Sequence, residues 1–437
     1  MKRMIKHLYE GSHSVFTLDA ACIVRAVRLI PILALVIIIS ACAVVSVGNN
    51  VEPIARDTAL PKIETLETAQ QGEVYNPTSV IPKEQPTTPT ERVYEIVRQS
   101  HGLTNEDIEP FRYMTDLTRL CLSASAYLRL AHLERLQGFI SEEVDLDMVI
   151  TDISPLAGLT NLIDLSLSGN HIFDISPLVG LTNLTSLGLL ANNISDITPL
   201  AGLTNLTNLA LGGNPLSDIT PLSNLTNLES LILGGYITDT TFSLEPLVNL
   251  TNLTYLSINA RHLNDDDIAI LSNLTNLRIL ELEHNQISDL SPLANLVNLE
   301  VLALSDNQIS DLSPLAGMTN LRVLGLDNNQ INCLAPLSNL TNLSLLAVVD
   351  NQINDLTPLA NLHNLHTLEA GYNQISDVSP LSSLANWRTL LLNNNQISDL
   401  TPFANFNNLF SLWLHDNPIT DWSPVEHLER VGGRPRS

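Results

Sequence analysis

A leucine-rich repeat solenoid is the fold class that this sequence predicts: an α/β-type, curved, right-handed horseshoe. Its concave face would be a parallel β-sheet and its convex face short helical or 3-10 turns. Three observations predict it. The phrase LVNLEVLALSDNQISDLSPLAG, from residue 296, recurs in near-copies such as LRVLGLDNNQINCLAPLSNLTN from 321 and WRTLLLNNNQISDLTPFANFNN from 387. Anchored on the second leucine of LxxLxL, twelve copies fall at Leu165, Leu187, Leu209, Leu231, Leu256, Leu280, Leu302, Leu324, Leu346, Leu368, Leu390 and Leu412. Their steps are 22, 22, 22, 25, 24 and then 22 throughout. Five residues past ten anchors stands an asparagine: Asn170, Asn192, Asn214, Asn285, Asn307, Asn329, Asn351, Asn373, Asn395 and Asn417. A leucine-rich period in the twenties, kept in spacing and chemistry, is the mark of such a stack.

Each part of the repeat has a physical task. The LxL pair alternates, so both leucines face inward from one short strand. The asparagine amide both donates and accepts, so it can satisfy backbone groups where the chain leaves the strand. Stacked copies predict a ladder, broken where Tyr236 and Arg261 take the asparagine position beside the irregular steps. The second half reads D-[I/L]-[S/T]-P-L, as at Ser291-Pro292, Ser313-Pro314, Thr357-Pro358 and Ser379-Pro380. A hydroxyl residue before proline suits the N-cap and first position of a helical turn. Asp289, Asp311, Asp355 and Asp377 are expected to brace that corner by accepting backbone N–H groups.

The unit LxxLxxLxLxxNxIxDIxPLxx resembles that of the internalins and related bacterial surface proteins, over roughly residues 91–437. The segment VYEIVRQSHGLTNEDIEPFRYMTDLTRLCLS resembles their helical N-terminal cap leading into a first repeat. The resemblance implies a curved solenoid that binds a protein partner on its concave face, and it carries over no particular partner. The sequence shows neither the immunoglobulin-like domain nor the LPxTG tail of many such proteins.

In chain order, residues 1–42 read as an export signal, with Lys2, Arg3, Lys6, Arg25 and Arg28 ahead of the uncharged run LIPILALVIIISAC. ISAC at 39–42 resembles the bacterial lipobox, which implies that Cys42 is lipidated and becomes the new N-terminus. The alternative is a signal anchor, since residues 29–47 are 19 uncharged residues, just enough to span a bilayer. Either way the repeats are placed outside the cytoplasm. Residues 43–90 are rich in Pro, Thr, Glu and Asn and read as a flexible tether. Residues 91–116 form the helical cap, with Asn105 as a candidate cap of EDIEPF and Pro110 ending that run. Residues 117–421 hold the repeats. The first are degraded: Leu120 and Leu122 match an LxL pair, and LERLQGFI is a candidate for the next. Residues 422–437 close the stack, with Trp422, Val425 and Leu428 over the last core layer. Cys121 and Cys333 are placed nine or ten repeats apart, roughly 45 Å at one ladder spacing each, so they do not bond.

Composition narrows the function. The chain is 44% hydrophobic but only 4% aromatic, so its core is leucine and isoleucine. The net charge of −25 excludes nucleic acid as partner, because phosphate recognition needs basic patches. Residues 151–429 hold four arginines, no lysine and 27 acidic residues, so the acidity belongs to the repeats. On the concave face the N-terminal half offers small residues: Ser166, Ser168, Gly169, Gly188, Ala210, Gly212, Gly213, Gly234 and Gly235. The C-terminal half offers Glu281, Glu283, His284, Asp306, Asp327, Asp350, Glu369, Tyr372, Trp413, His415 and Asp416. Aromatics among charges suit a protein ligand carrying basic residues. The plain alternative is a solvated acidic face.

Other chemistry has weaker support. The carboxylates lack the dense alternation of a calcium loop. Asp265-Asp266-Asp267 reads as the acidic start of an outer helix rather than a metal site. His284 and His415 lack partners at ligand spacing, and Trp387 fills a leucine slot in the core. No nucleophile elbow, phosphate loop or metalloprotease helix is present, so neither an enzyme nor a cofactor is expected. The reading is an envelope-anchored protein that binds another protein through its concave face. A structural spacer or coat component without a ligand is the alternative, and an enzyme or enzyme inhibitor comes third.

Overall fold

The computed structural model describes residues 105–123, 150–235, 241–384 and 386–434. The export signal, the tether, Cys42, Tyr236 and the LERLQGFI stretch lie outside them. Among the described residues no helix is long and apolar enough to cross a membrane.

The repeats form one parallel sheet whose strands follow chain order. They are β1 (Arg119–Cys121), β2 (Asp164–Ser166), β3 (Ser186–Gly188), β4 (Asn208–Ala210), β5 (Ser230–Ile232), β6 (Tyr255–Ser257) and β7 (Ile279–Glu281). β8 (Val301–Ala303), β9 (Val323–Gly325), β10 (Leu345–Ala347), β11 (Thr367–Glu369), β12 (Thr389–Leu391), β13 (Ser411–Trp413) and β14 (Val431–Gly432) follow. Anchor leucine faces anchor leucine in register, from Leu120 on Leu165 to Leu390 on Leu412. That register puts every LxL pair on the core side, where the anchors are no more than 3% exposed. A core of stacked leucines needs no aromatics, and Trp387 fits one leucine slot with its indole N–H on the Leu381 carbonyl at 3.2 Å.

β1 pairs directly with β2, so no rung lies between them where LERLQGFI was expected to supply one. Cys121 and Cys333 are therefore eight rungs apart rather than nine or ten, roughly 38 Å. Both thiols are free.

Behind each strand the chain makes a 3-10 turn, as at Ser154–Leu156 and Ser313–Leu315. The serine or threonine is the first residue of this turn and not its cap. The N-cap position belongs to the preceding isoleucine or leucine, which has no side chain to offer. The aspartate two residues before the hydroxyl does the capping. Asp289, Asp311, Asp355 and Asp377 each accept the N–H of the following Ser or Thr at 2.8 Å. The hydroxyl beside it helps to hold the carboxyls of Asp311 and Asp355 below their ordinary range. The acidic triplet opens a helix, α2 (Asp265–Ile268), capped reciprocally by Asn264 and Asp267.

At the N-terminal end a helix α1 (Asn105–Ile108) runs into a 3-10 turn, Glu109–Tyr113. Asn105 does not cap α1. Its amide oxygen accepts the N–H groups of Thr151 and Asp152 at 2.9 and 3.0 Å, and its amide nitrogen donates to the Thr151 hydroxyl. Asp265 at the start of α2 clips the next repeat in the same way, through Ser288 and Asp289. At the other end Val425 and Leu428 are buried and Trp422 packs against the core.

The asparagine at anchor plus five joins consecutive rungs. Asn214 is fully buried. Its oxygen accepts the Ile194 N–H at 3.0 Å, and its nitrogen donates to the carbonyls of Leu189 and Leu211 at 2.8 Å each. The other described asparagines at this position repeat the pattern, although Asn329 and Asn417 are only half-buried. At Arg261 the ladder keeps its donor half. This residue is 1% exposed, and its guanidinium donates to the Leu233 carbonyl, the group an asparagine there would take. It also reaches the Asn214 carbonyl one rung further and lies over the Phe242 ring at 5.1 Å. Burial lowers its pKa to about 10.

A second asparagine row was not anticipated. Four residues before the anchors from Leu165 to Leu390, the asparagine of the LTNL-like phrase donates to a carbonyl of the previous rung. Examples are Asn183 to Thr160 and Asn342 to Thr319, both at 2.9 Å. This row is exposed and lies on the flank where the chain enters the strand.

The two rows differ in burial, so they should differ in energy. Asn214→Ala should destabilise the fold by about 1–3 kcal/mol, because it leaves buried backbone groups unpaired. Asn320→Ala, on the exposed row, should cost less than about 1 kcal/mol, since water replaces the lost bond. Urea unfolding of both variants checks the contrast, and equal losses would contradict it.

Candidate functional site

On each strand the residues one before, one after and three after the anchor face away from the core, because side chains alternate. They form the open face of the sheet. From β2 to β13 none of them is lysine or arginine. Arg261 is in the core, while Arg278, Arg322 and Arg388 stand two residues before their anchors, on the entry flank.

At anchor plus four the backbone is left-handed in nearly every repeat, with φ between 51° and 58° at Ala191, Ala260, His284, Asp306, Asn328, Asp350, Tyr372, Asn394 and Asp416. The turn aims the next residue, the ladder asparagine, into the core. A non-glycine residue there carries about 1–2 kcal/mol of backbone strain. The strain recurs along the stack, so it belongs to the fold. It leaves His284, Asp306, Asp350, Tyr372 and Asp416 on the rim of the open face.

The N-terminal half of the open face is closed as well as small. Ser168 is fully buried and accepts the Leu190 N–H at 3.2 Å. A Cβ on Gly212 would run into the Gly234 carbonyl, and one on Gly234 into the Asn259 N–H. Gly212 and Gly234 are therefore packing positions and offer no free surface.

β6, β7 and β8 bring the first predicted residues together. Glu281 is only 3% exposed and accepts the Tyr255 hydroxyl at 3.2 Å. Burial raises the pKa of both groups. Glu283, two residues on, lies beside the Asn259 amide at 3.4 Å. Burial, and then the charge of Glu281, push its pKa up to about 7. His284 is exposed, with its ring 3.4 Å from Asp306. Tyr255 and Asn259 were not singled out from the sequence. Their role shows only when neighbouring rungs are laid side by side.

The remaining predicted residues are spread over successive rungs and do not converge. Asp327 on the β9 rung accepts the Val349 N–H, at 2.6 Å. Asp350 and Tyr372 are exposed, Tyr372 by 49%, and Glu369 is partly exposed. Trp413 and His415 pack edge to face at 5.4 Å, and Trp413 donates to the Ser411 hydroxyl at 2.9 Å. A Cβ on Gly432 would touch the His415 ring at 3.0 Å, so β14 partly covers this pair. The span from β7 to β13 is six rungs, roughly 29 Å. Among the described residues no three His, Cys, Asp or Glu side chains gather as a metal ion would require.

Comparison with known proteins agrees with this architecture. The family model for leucine-rich repeats (two copies) matches residues 160–202, 275–317, 297–339 and 363–405. An internalin of Listeria monocytogenes superposes with a TM-score of 0.65 at 37% identity, covering 76% of this chain and 89% of that one. The functional domain of InlJ from the same organism aligns at 22% identity with a TM-score of 0.56, over 73% of this chain and 66% of its own. A leucine-rich repeat protein of Leptospira interrogans aligns at 24% identity with a TM-score of 0.53, over 64% and 80%. The last two share the fold alone. No curated protein sequence matches the chain.

The buried glutamates give stability an unusual pH dependence. Glu283 titrates near 7 when folded and near 4.5 when unfolded, so the folded state binds more protons in that window. Stability should rise as pH falls from 8 to 5, and be lost again as pH rises through about 7. Glu283→Gln should raise the melting temperature at pH 8 and flatten the gain on acidification. Melting curves across pH test this, and a wild-type curve that falls steadily below pH 8 would refute it.

Proposed function

This chain belongs to the internalin family of leucine-rich repeat proteins, and from that premise we propose that it binds a protein partner through its open, concave sheet face outside the cytoplasm. The contrast along that face carries the reading. Up to β6 the face is mostly small or uncharged residues, with Ser166, Ser168, Gly212 and Gly234 packed against neighbouring rungs and Asp164 its only carboxylate. From β7 onward it bears Glu283, His284, Asp306, Asp327, Asp350, Glu369 and Tyr372, with no lysine or arginine among them. A run of carboxylates around an exposed aromatic suits a partner with basic residues. Glu281 supports this surface from beneath, and Trp413 and His415 mark its C-terminal limit. A sheet-face role fits binding better than catalysis, because side chains that lie on successive rungs do not converge on a reacting atom.

The N-terminal sequence supports anchoring at the bacterial envelope through a lipidated Cys42, with a signal anchor as the alternative. Cys42→Ser should abolish metabolic labelling with a fatty acid and leave an unprocessed precursor. A wild-type protein that stays in the membrane fraction without label would favour the signal anchor.

The binding proposal is tested by capture from envelope and host-surface extracts with the full chain, followed by titration. Tyr372→Ala should weaken a captured partner by about tenfold, roughly 1.4 kcal/mol. It should leave the melting curve intact, since the ring is exposed and the left-handed backbone tolerates a small residue. Binding should also weaken as salt rises, because exposed charges are screened. Equal affinity for wild type and Tyr372→Ala at every salt concentration would move the site off this face. Failure to capture anything would favour a spacer.

A further inference from the structure

The entry flank carries a groove of different chemistry from the open face. It is an open depression of about 450 Å³ that crosses β6 to β9, a span of three rungs or roughly 14 Å. Its lining is Asn252, Asn276, Asn298 and Asn320 from the exposed row, with Thr254, Arg278 and Glu300. The volume falls in the range of ligand sites, roughly 300–1,000 Å³, but the apolar walls of a small-molecule pocket are missing.

The hydrogen-bonding character of this lining follows from the row itself. Each asparagine nitrogen is held by a carbonyl of the previous rung: Asn252 by Thr226, Asn276 by Thr251, Asn298 by Thr275 and Asn320 by Val297, at 2.8–3.0 Å. The amides are thus fixed in orientation. Their oxygens have no partner among the described residues and recur once per rung. Charge is balanced: the Arg278 guanidinium lies on the Glu300 carboxylate, Nε to Oε1 at 2.8 Å, and Arg322 approaches the other oxygen at 4.0 Å. The Thr254 hydroxyl donates to the Glu229 carbonyl at 3.1 Å, so the groove offers a line of oriented acceptors that includes it, with donor capacity on Arg278 and little net charge toward a ligand.

We propose that this flank groove binds a neutral, hydroxyl-rich chain, an oligosaccharide. Hydroxyls donate to the amide oxygens at rung spacing and accept from Arg278. A polyanion is disfavoured by Glu300 and by the acidity of the whole chain. An extended peptide is disfavoured because strand-like peptides bind by adding to a free sheet edge, and β6 to β9 are interior strands already paired on both sides. The site is separate from the open face, so it stands or falls independently of protein binding there.

The experiment is isothermal titration of the full-length protein with cellotetraose, chitotetraose and mannotetraose, at low and high salt. At least one should bind saturably, with an affinity that does not change with salt. Arg278→Ala should weaken it about tenfold or more. Arg278 is 62% exposed and its ion pair is a surface one, so that variant should keep its melting temperature. Thr254→Trp should fill the groove and abolish binding, while Tyr372→Ala should leave it unchanged. No saturable binding of any tetrasaccharide would overturn the proposal. So would binding that survives both groove variants, or capture of an extended polar peptide by the groove in place of any saccharide.

Discussion

The whole stack depends on one constraint: the chain must leave a strand that is buried in leucine without stranding its backbone amides. A strand end in a dry core has N–H and carbonyl groups that water cannot reach, and each unpaired group costs about 1–3 kcal/mol. A carboxamide meets the need because it donates and accepts at once. Asn214 shows the geometry, with one N–H from the rung before and two carbonyls satisfied. The left-handed residue just ahead of it makes the turn that brings the amide inward. Arg261 shows which half of the task is harder to replace. A guanidinium supplies donors in plenty and holds the Leu233 carbonyl, but it has no acceptor to give.

Most of the fold was legible because its determinants are periodic. Leucine register, the ladder asparagine and the capping aspartate repeat at fixed offsets, and an offset is visible in one dimension. The misreadings came from residues whose partner lies at no fixed offset. Asn105 has the composition of a helix cap, yet the backbone it satisfies is 46 residues away. Ser-Pro looks like an N-cap followed by its proline, but the aspartate two residues earlier reaches the amide first. LERLQGFI has apolar spacing, but β1 meets β2 directly. The second asparagine row was in view as LTNL, but an exposed asparagine beside threonine looks like surface filler until its carbonyl partner on the previous rung is known.

The candidate site was less legible for a related reason. Which residue types face outward follows from alternation, so the acidic open face could be read from the sequence. How exposed each one is depends on its neighbours one rung away. Glu281 is buried because Tyr255, 26 residues earlier, donates a hydroxyl to it. Gly212 looks like free space but is hemmed in by the Gly234 carbonyl. Cross-rung contacts of this kind set the pKa of Glu283, and no window within a single repeat contains them.

A solenoid of this kind separates stability from recognition in a way a globular core does not. The positions that hold the rungs together are the inward leucines, the two asparagine rows and the aspartate caps. None of them is on the open face. Residues on that face can therefore vary rung by rung at little cost to folding, apart from places where backbones pack closely, such as Gly212. The charge distribution follows the same division. The aspartates before each Ser-Pro or Thr-Pro turn stay there because each accepts a backbone N–H. From β2 to β13 arginines are kept off the open face, with Arg261 used in the core and Arg278, Arg322 and Arg388 on the entry flank. An acidic face and a charge-balanced flank on the same rungs then present two different chemistries, and a ligand suited to one gains nothing from the other.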